Sequence, residues 1–400
     1  MKRDIERIER IQRALQDAEL DAVVCALPTN VLLLSGYWPV VGSSLAIATR
    51  NGRIVLLVPE DEQELTESGC ADEVHTFPGG SLSNLKSIIE MAAPKLAKVL
   101  RDMGLEGGCA LGYESGPIFE PSSYASMHLY GEAIHDLLDQ AAPSVTISPA
   151  RELLVRLRAI LTANEVDRVR LACRIAEDAF NEGARKLRAG MRETEAAAQF
   201  RAPLSIMSAD YQRVTRADGF AYCMSGLNSA RAYAAYQRSR DRELARGDLV
   251  LVHCNSNADG YWTDITRTFH LGQVEERKRE MYDAVFAARR AAIETIRAGV
   301  AAAEVDRAAR EVLKQRGFGD RFKHGLGHGV GFAAINHNAL PRLHPASIDV
   351  LEVGMVFNIE PAIYIDGYGG LRHCDMVAVT ETGPDLLTPF QSNFEQLAIG

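Results

Sequence analysis

The sequence predicts an α/β protein, α+β in the arrangement of its parts, with one domain over residues 1–150 and a second over 151–400. Three observations predict it. The 400-residue length suggests two or three domains with ample room for a buried core. Helical and strand-like patterns alternate through the first 150 residues, as in a layered α/β domain. Further on, two stretches share one internal spacing. Gly247 precedes His253 by six residues and Gly260 precedes Asp264 by four; Gly354 precedes Glu360 by six and Gly370 precedes Cys374 by four. Two similar β-hairpins would each deliver two polar side chains to one pocket.

Residues 4–19 read as an amphipathic helix, with Ile5, Ile8, Ile11, Leu15 and Leu20 near helical spacing. Asp21 to Leu27 is an apolar run suited to a buried strand. Ser44–Thr49 and Arg53–Val58 read as strands around the turn dipeptide Asn51-Gly52. The Pro, Gly and Ser content near 114–123 marks a loop. A domain boundary is expected near Glu152–Ala159. After it, Thr162 and Glu165 have capping-box spacing and open a helix to about Leu187. Gly190–Glu195 turns the chain into another helix. Strands are expected around 218–224, 248–254 and 265–271, then helices over 275–297 and 303–316, the last stopped by Gly317.

Composition narrows the function classes. Hydrophobic residues make up 47% and charged residues 24%, ordinary for a globular domain. The net charge of −9 and the lack of a basic block argue against a nucleic-acid or anionic-membrane partner. The seven cysteines are scattered and show no CxxC spacing, which fits a reducing, cytoplasmic setting. The charged N-terminus does not read as a signal peptide, and no apolar run is long enough to predict a membrane span.

The chemistry lies in four blocks: Gly260-Tyr-Trp-Thr-Asp-Ile-Thr-Arg-Thr-Phe269, His324-Gly-Leu-Gly-His-Gly-Val-Gly331, Phe357-Asn-Ile-Glu-Pro361 and Gly370-Leu-Arg-His-Cys-Asp375. In this order they resemble the signature blocks of the pita-bread superfamily, which includes Xaa-Pro aminopeptidase, prolidase and creatinase. The resemblance implies a creatinase-like N-terminal α/β domain and a pita-bread domain of pseudo-twofold α/β halves around a central site. It also implies a homodimer. Peptidase members hold two divalent metals with Asp, Asp, His, Glu and Glu. Carried over by position, this chain offers His253, Asp264, His328, Glu360 and Cys374, so two of the five ligands are changed.

That donor set is softer than the family's. Imidazole and thiolate favour zinc or iron over manganese, so one transition metal held by three or four of these residues is a sensible expectation. A metal-free site is the alternative. Creatinase keeps the fold without the metal, and there Glu360 and a histidine would activate water and protonate a leaving nitrogen. Family members carry a catalytic His about 17 residues before the first ligand; here the slot holds Tyr236, a hydrogen-bond donor but a poor base. His337 matches a family His that contacts substrate, after a two-residue insertion. Cys374 could serve as a nucleophile, with His328 or His253 as its base, or be a small buried residue left after ligand loss. Arg372 could contact substrate or only pair with a carboxylate across the pocket. Asp264 could merely cap a turn. Tyr37 and Trp38 could reach a substrate from an N-terminal loop or serve only in packing. His270 and His344 read as packing or surface residues.

The first functional expectation is a hydrolase of a carbon–nitrogen bond in a small amide, amidine or imidodipeptide, with a mononuclear or metal-free site. The alternatives are a metal-dependent Xaa-Pro dipeptidase or aminopeptidase, and a non-catalytic pita-bread binding protein.

Overall fold

The computed structural model describes residues 3–40, 42–79, 87–114, 131–206, 211, 214–233, 239–334, 336 and 339–400. Tyr236, His337 and most of the expected 114–123 loop lie outside them. The chain divides into two compact units, Met1–Arg158 and Ala159–Gly400. The division falls eight residues beyond the expected 150, because α5 (Arg151–Ala159) continues the first unit.

In the first unit, α1 (Ile5–Asp17) is capped by the Asp4 side chain and buries Ile8, Ile11 and Leu15. This is the helix the apolar spacing predicts. A six-stranded sheet follows in the order β4-β3-β2-β1-β5-β6, built from β1 (Ala22–Cys25), β2 (Leu45–Thr49), β3 (Ile54–Pro59), β4 (Glu73–Phe77), β5 (Ala110–Tyr113) and β6 (Thr146–Pro149). The β2–β3 pair is antiparallel around Asn51-Gly52, where Gly52 takes a φ of 84°. Helices α2 (Pro28–Ser35), α3 (Ile88–Asp102) and α4 (Glu132–Ala141) complete the unit, and α3 and α4 share an apolar core with the sheet.

The second unit opens with α6 (Ala163–Lys186), started by the reciprocal capping box of Thr162 and Glu165. Next come α7 (Glu193–Ile206), β7 (Ala217–Ser225), β8 (Leu249–Ala258), β9 (Tyr261–Trp262), β10 (Ile265–Leu271), α8 (Glu276–Thr295) and α9 (Ala302–Gln315). The remaining strands are β11 (Val356–Ile359), β12 (Ala362–Ile365), β13 (Gly369–Arg372), β14 (Asp375–Thr380), β15 (Gly383–Leu386) and β16 (Ala398–Ile399). One sheet runs β16-β10-β8-β7, with β9 paired to β8; a second runs β11-β14-β15, and β12 pairs with β13.

The two expected hairpins are thus β8 with β10 and β11 with β14, both antiparallel. They differ in their tips, since the second inserts the β12–β13 hairpin. Their inner edges join where Cys374 N donates to Thr266 O at 3.0 Å. That junction brings the residue before β10, Asp264, beside the residue before β14, Cys374.

Candidate active site

Arg267, in the middle of β10, holds the junction together. It is fully buried, and its guanidinium donates to Cys374 O at 2.7 Å, Asp375 Oδ1 at 2.8 Å, Thr388 O at 2.8 Å and Phe390 O at 3.1 Å. Arg289 of α8 also donates to Asp375, so one buried carboxylate serves two cations. Burial pushes the Asp375 carboxyl up, but Arg267, His373 and Arg289 pull it well below the usual carboxylate range. This network places the strand ends that carry Asp264 and Cys374.

The His328 loop packs tightly against β11. A side chain at Gly327 would collide with Asn358, and one at Gly329 with Leu340, which explains the glycine spacing around His328. His328 N donates to Asn358 Oδ1 at 2.7 Å, and Asn358 N to His328 O at 3.1 Å.

A cavity of about 420 Å³ opens here, lined by His253, Asp264, His328, Glu360 and Arg372 and rimmed by Tyr233, His324, Arg342 and His344. His328 Nε2 lies 3.8 Å from Asp264 Oδ2, and His253 Nδ1 lies 3.7 Å from Asp264 Oδ1. Arg372 stands between the histidine and the glutamate. Its Nη2 is 2.9 Å from His253 Nδ1, its Nε donates to Thr266 Oγ1 at 3.1 Å, and its Nη1 is 3.6 Å from Glu360 Oε2. Thr266 Oγ1 also lies 3.1 Å from His253 Nδ1. Its neighbour Thr268 grips the Arg372 backbone, accepting from its N–H at 3.1 Å and donating to its C=O at 2.8 Å.

These bonds assign protonation. A guanidinium only donates, so His253 Nδ1 is the acceptor nitrogen and its proton sits on Nε2. His328 Nδ1 faces Gly329 O at 3.1 Å and so carries its proton there, leaving Nε2 as the basic nitrogen toward Asp264. Burial pushes both imidazoles down to about 4; Arg372 adds to this, while Asp264 opposes it at His253 and the Gly329 carbonyl opposes it at His328. Glu360 moves the other way. Burial pushes its carboxyl up to about 8 against the pull of Arg372, with Asp264 adding to the rise.

Cys374 departs from the expected nucleophile role. It is fully buried, and its thiol donates to Asp264 O at 3.1 Å. Burial, Asp264 and Glu360 hold the thiol well above its ordinary range, the reverse of what a nucleophile needs. Tyr37 is a core residue of the first unit, buried, with its hydroxyl donating to Glu62; Trp38 follows it half-buried. Arg372 lines the cavity, with its guanidinium positioned by His253, Thr266 and Glu360. His344 and His324 also line it. His324 Nε2 faces Tyr364 Oη at 3.0 Å, a contact between the His324 block and β12 that periodicity alone does not reveal.

A helix-flanked pair of hairpins that converges an aspartate, a glutamate and a histidine in one cleft defines a hydrolase of the pita-bread class. The comparisons agree. A model of metallopeptidase family M24 matches residues 167–381, and one of the creatinase/prolidase N-terminal domain matches residues 7–160. The chain is 31% identical over 384 residues to a Xaa-Pro dipeptidase of Pyrococcus furiosus, covering 96% of this chain and 97% of that one. The prolidase structure from Pyrococcus horikoshii superposes with a TM-score of 0.76 at 27% identity, covering 97% and 99% of the two chains. A Xaa-Pro dipeptidase structure from Bacillus anthracis, at 23% identity and covering 99% of each chain, shares the fold with a TM-score of 0.78. The chain belongs to metallopeptidase family M24. It is a hydrolase of the Xaa-Pro peptidase and creatinase superfamily.

The family implies a divalent metal. The residues here do not fit the pair its peptidases hold. Among the described residues, no three His, Cys, Asp or Glu side chains converge as a metal's ligands do. His253, where the family resemblance puts the first ligand, has an Nδ1 that accepts from Arg372, and the thiol of Cys374, where it puts the last, donates to Asp264 O. Also among the described residues, no helix is long and apolar enough to cross a membrane.

Proposed function

We propose that this hydrolase cleaves a carbon–nitrogen bond in a small amide, amidine or imidodipeptide by acid–base chemistry, with Arg372 as the fixed cation of its site. The observation that carries the reading is the placement of the Arg372 guanidinium between His253 Nδ1 and Glu360 Oε2. A buried guanidinium there supplies fixed positive charge to the cleft.

Glu360 and His328 have opposed environments, which suits an acid and a base in one cleft. His328 Nε2 takes a proton from water as the water oxygen bonds to the substrate's carbonyl or amidine carbon. Arg372 stabilises the negative charge that develops on that centre's heteroatom. Glu360, protonated near neutrality, gives its proton to the leaving nitrogen as the C–N bond breaks. The proton on His328 then returns to Glu360, and the site is reset.

The second reading is a metal-dependent Xaa-Pro dipeptidase. The relatives bearing that name and the retention of Asp264, His328 and Glu360 favour it. A cytoplasmic homodimer is part of the proposal under either reading, and rests on composition and family likeness. The roles of Tyr236 and His337 remain proposals from their sequence positions. The test is a substrate panel of Xaa-Pro dipeptides, small amides and amidines, assayed for released amine with and without chelator. Turnover that survives exhaustive chelation supports the first reading. Turnover of Xaa-Pro dipeptides alone, abolished by chelation and restored by manganese or cobalt, supports the second.

A further inference from the structure

Asn255 stands two residues after His253 on β8, so its side chain leaves the strand on the same face. It is fully buried. Its Nδ2 donates to Thr263 O at 3.3 Å. A carbonyl only accepts, so the amide nitrogen belongs on that side and Oδ1 on the other. The Asn255 side chain also hydrogen-bonds the His253 ring, and this bond favours a protonated ring nitrogen. Only an acceptor has that effect, and the one acceptor in the Asn255 side chain is Oδ1. It takes the proton that the Arg372 bond leaves on Nε2. Among the described residues, this buried oxygen has no other partner.

Four groups thus form one line of donors and acceptors. Arg372 Nη2 donates to His253 Nδ1 at 2.9 Å, His253 Nε2 to Asn255 Oδ1, and Asn255 Nδ2 to Thr263 O at 3.3 Å. Each end has a single polarity. A guanidinium has only donors, and a backbone carbonyl has only lone pairs. The two groups between them must each accept on one side and donate on the other. A neutral imidazole and a side-chain amide do both, and a carboxylate does not. Bonds aligned head to tail strengthen one another away from water.

The far end of this line reaches the backbone of the cleft. Thr263 O belongs to the peptide that enters Asp264, and the N–H of that peptide donates to Met376 Sδ at 3.4 Å. Thr263 N donates to Ser256 O at 2.7 Å, beside the β8–β9 pairing of Asn257 with Trp262. We propose that Asn255 is a positioning residue of this site, holding His253 as the tautomer that receives Arg372 and tying that ring to the Asp264 peptide. The proposal rests on the reading of Arg372 as the fixed cation of the site. Asn255 acts through His253 and Arg372 rather than on the substrate.

The test is proton and nitrogen NMR of the His253 ring in the whole protein near neutral pH, with steady-state kinetics on a substrate of the panel. In the wild type, Nε2 carries the proton, Nδ1 is bare, and the Nε2 proton gives the downfield signal of a hydrogen bond. Asn255→Leu, of similar shape, should lose that shift and lower kcat by about three- to tenfold, with KM changing less, because Arg372 acts on the transition state. Asn255→Asp keeps the shape and an acceptor but cannot donate to Thr263 O. There Nε2 should stay protonated while kcat still falls, whereas a role in packing alone predicts wild-type kcat. A proton on Nδ1 in the wild type, an unchanged Nε2 signal in Asn255→Leu, or wild-type kcat in either folded variant would each overturn the proposal. The ring state is read without turnover, so the two readings fail separately: activity lost on chelation, beside the expected ring signals, overturns the Arg372 chemistry and supports the Asn255 assignment.

Discussion

Arg372 Nη2 lies 2.9 Å from His253 Nδ1, and this bond determines what both residues can do. It leaves the imidazole neutral with its proton on Nε2, and it holds the guanidinium where its other arm faces Glu360. His253 gives the arginine a neutral acceptor, so the guanidinium's charge faces Glu360 and the cleft.

The pH dependence of turnover follows from Glu360 and His328. His328 must be neutral to act as base, so kcat/KM rises as pH climbs through about 4. Glu360 must be protonated to act as acid, so the rate falls as pH climbs past about 8. A plateau between these limits is expected in a pH–rate profile on any substrate turned over. Glu360→Gln should abolish the alkaline limb together with most of the rate, by about 10²–10⁴-fold.

Arg372→Met should lower kcat by about 10²–10³-fold, the range found when one stabilising donor of a developing anion is removed. Arg372→Lys should recover little, since one ammonium cannot reach His253, Thr266 and Glu360 together. Steady-state kinetics of the two variants, with folding checked by circular dichroism, measure this.

Thr266→Val removes the hydroxyl shared by Arg372 Nε and His253 Nδ1 with little change of volume. The expected cost is about 1–2 kcal/mol of stability in urea unfolding. A fall in kcat should accompany it because Arg372 loses its support. Thr266→Ser should restore both; a purely steric role for the methyl group predicts no rescue.

Asp375→Asn should be the most damaging of these changes, because it strands Arg267 and Arg289 in the interior. About 3–5 kcal/mol is expected in denaturant titrations. The wild-type carboxyl is held well below its unfolded value, so its contribution is present above about pH 4 and is lost as pH falls further. Wild-type stability should therefore drop more steeply than that of Asp375→Asn in acid.

Much of this was legible in the chain. The helix over 5–17, the β2–β3 hairpin, the Thr162 capping box and the paired hairpins all have local signals, in apolar spacing, turn dipeptides and glycine positions. The convergence of Asp264, His328, Glu360 and His253 followed from motif order. The state of those groups did not. Nothing in the spacing shows that Arg372 would turn its guanidinium onto His253, or that Cys374 would bury its thiol against the Asp264 carbonyl, since both depend on contacts across more than 100 residues. The Arg267–Asp375 pair is of the same kind.

The most direct test of an arginine-centred site is elemental mass spectrometry of untagged protein, expressed without added metal and assayed before and after exhaustive chelation. Substoichiometric metal throughout and turnover unchanged by chelation are the expected result. Two equivalents of manganese or cobalt, with activity lost on their removal and regained on their return, would contradict it and restore the metallopeptidase mechanism.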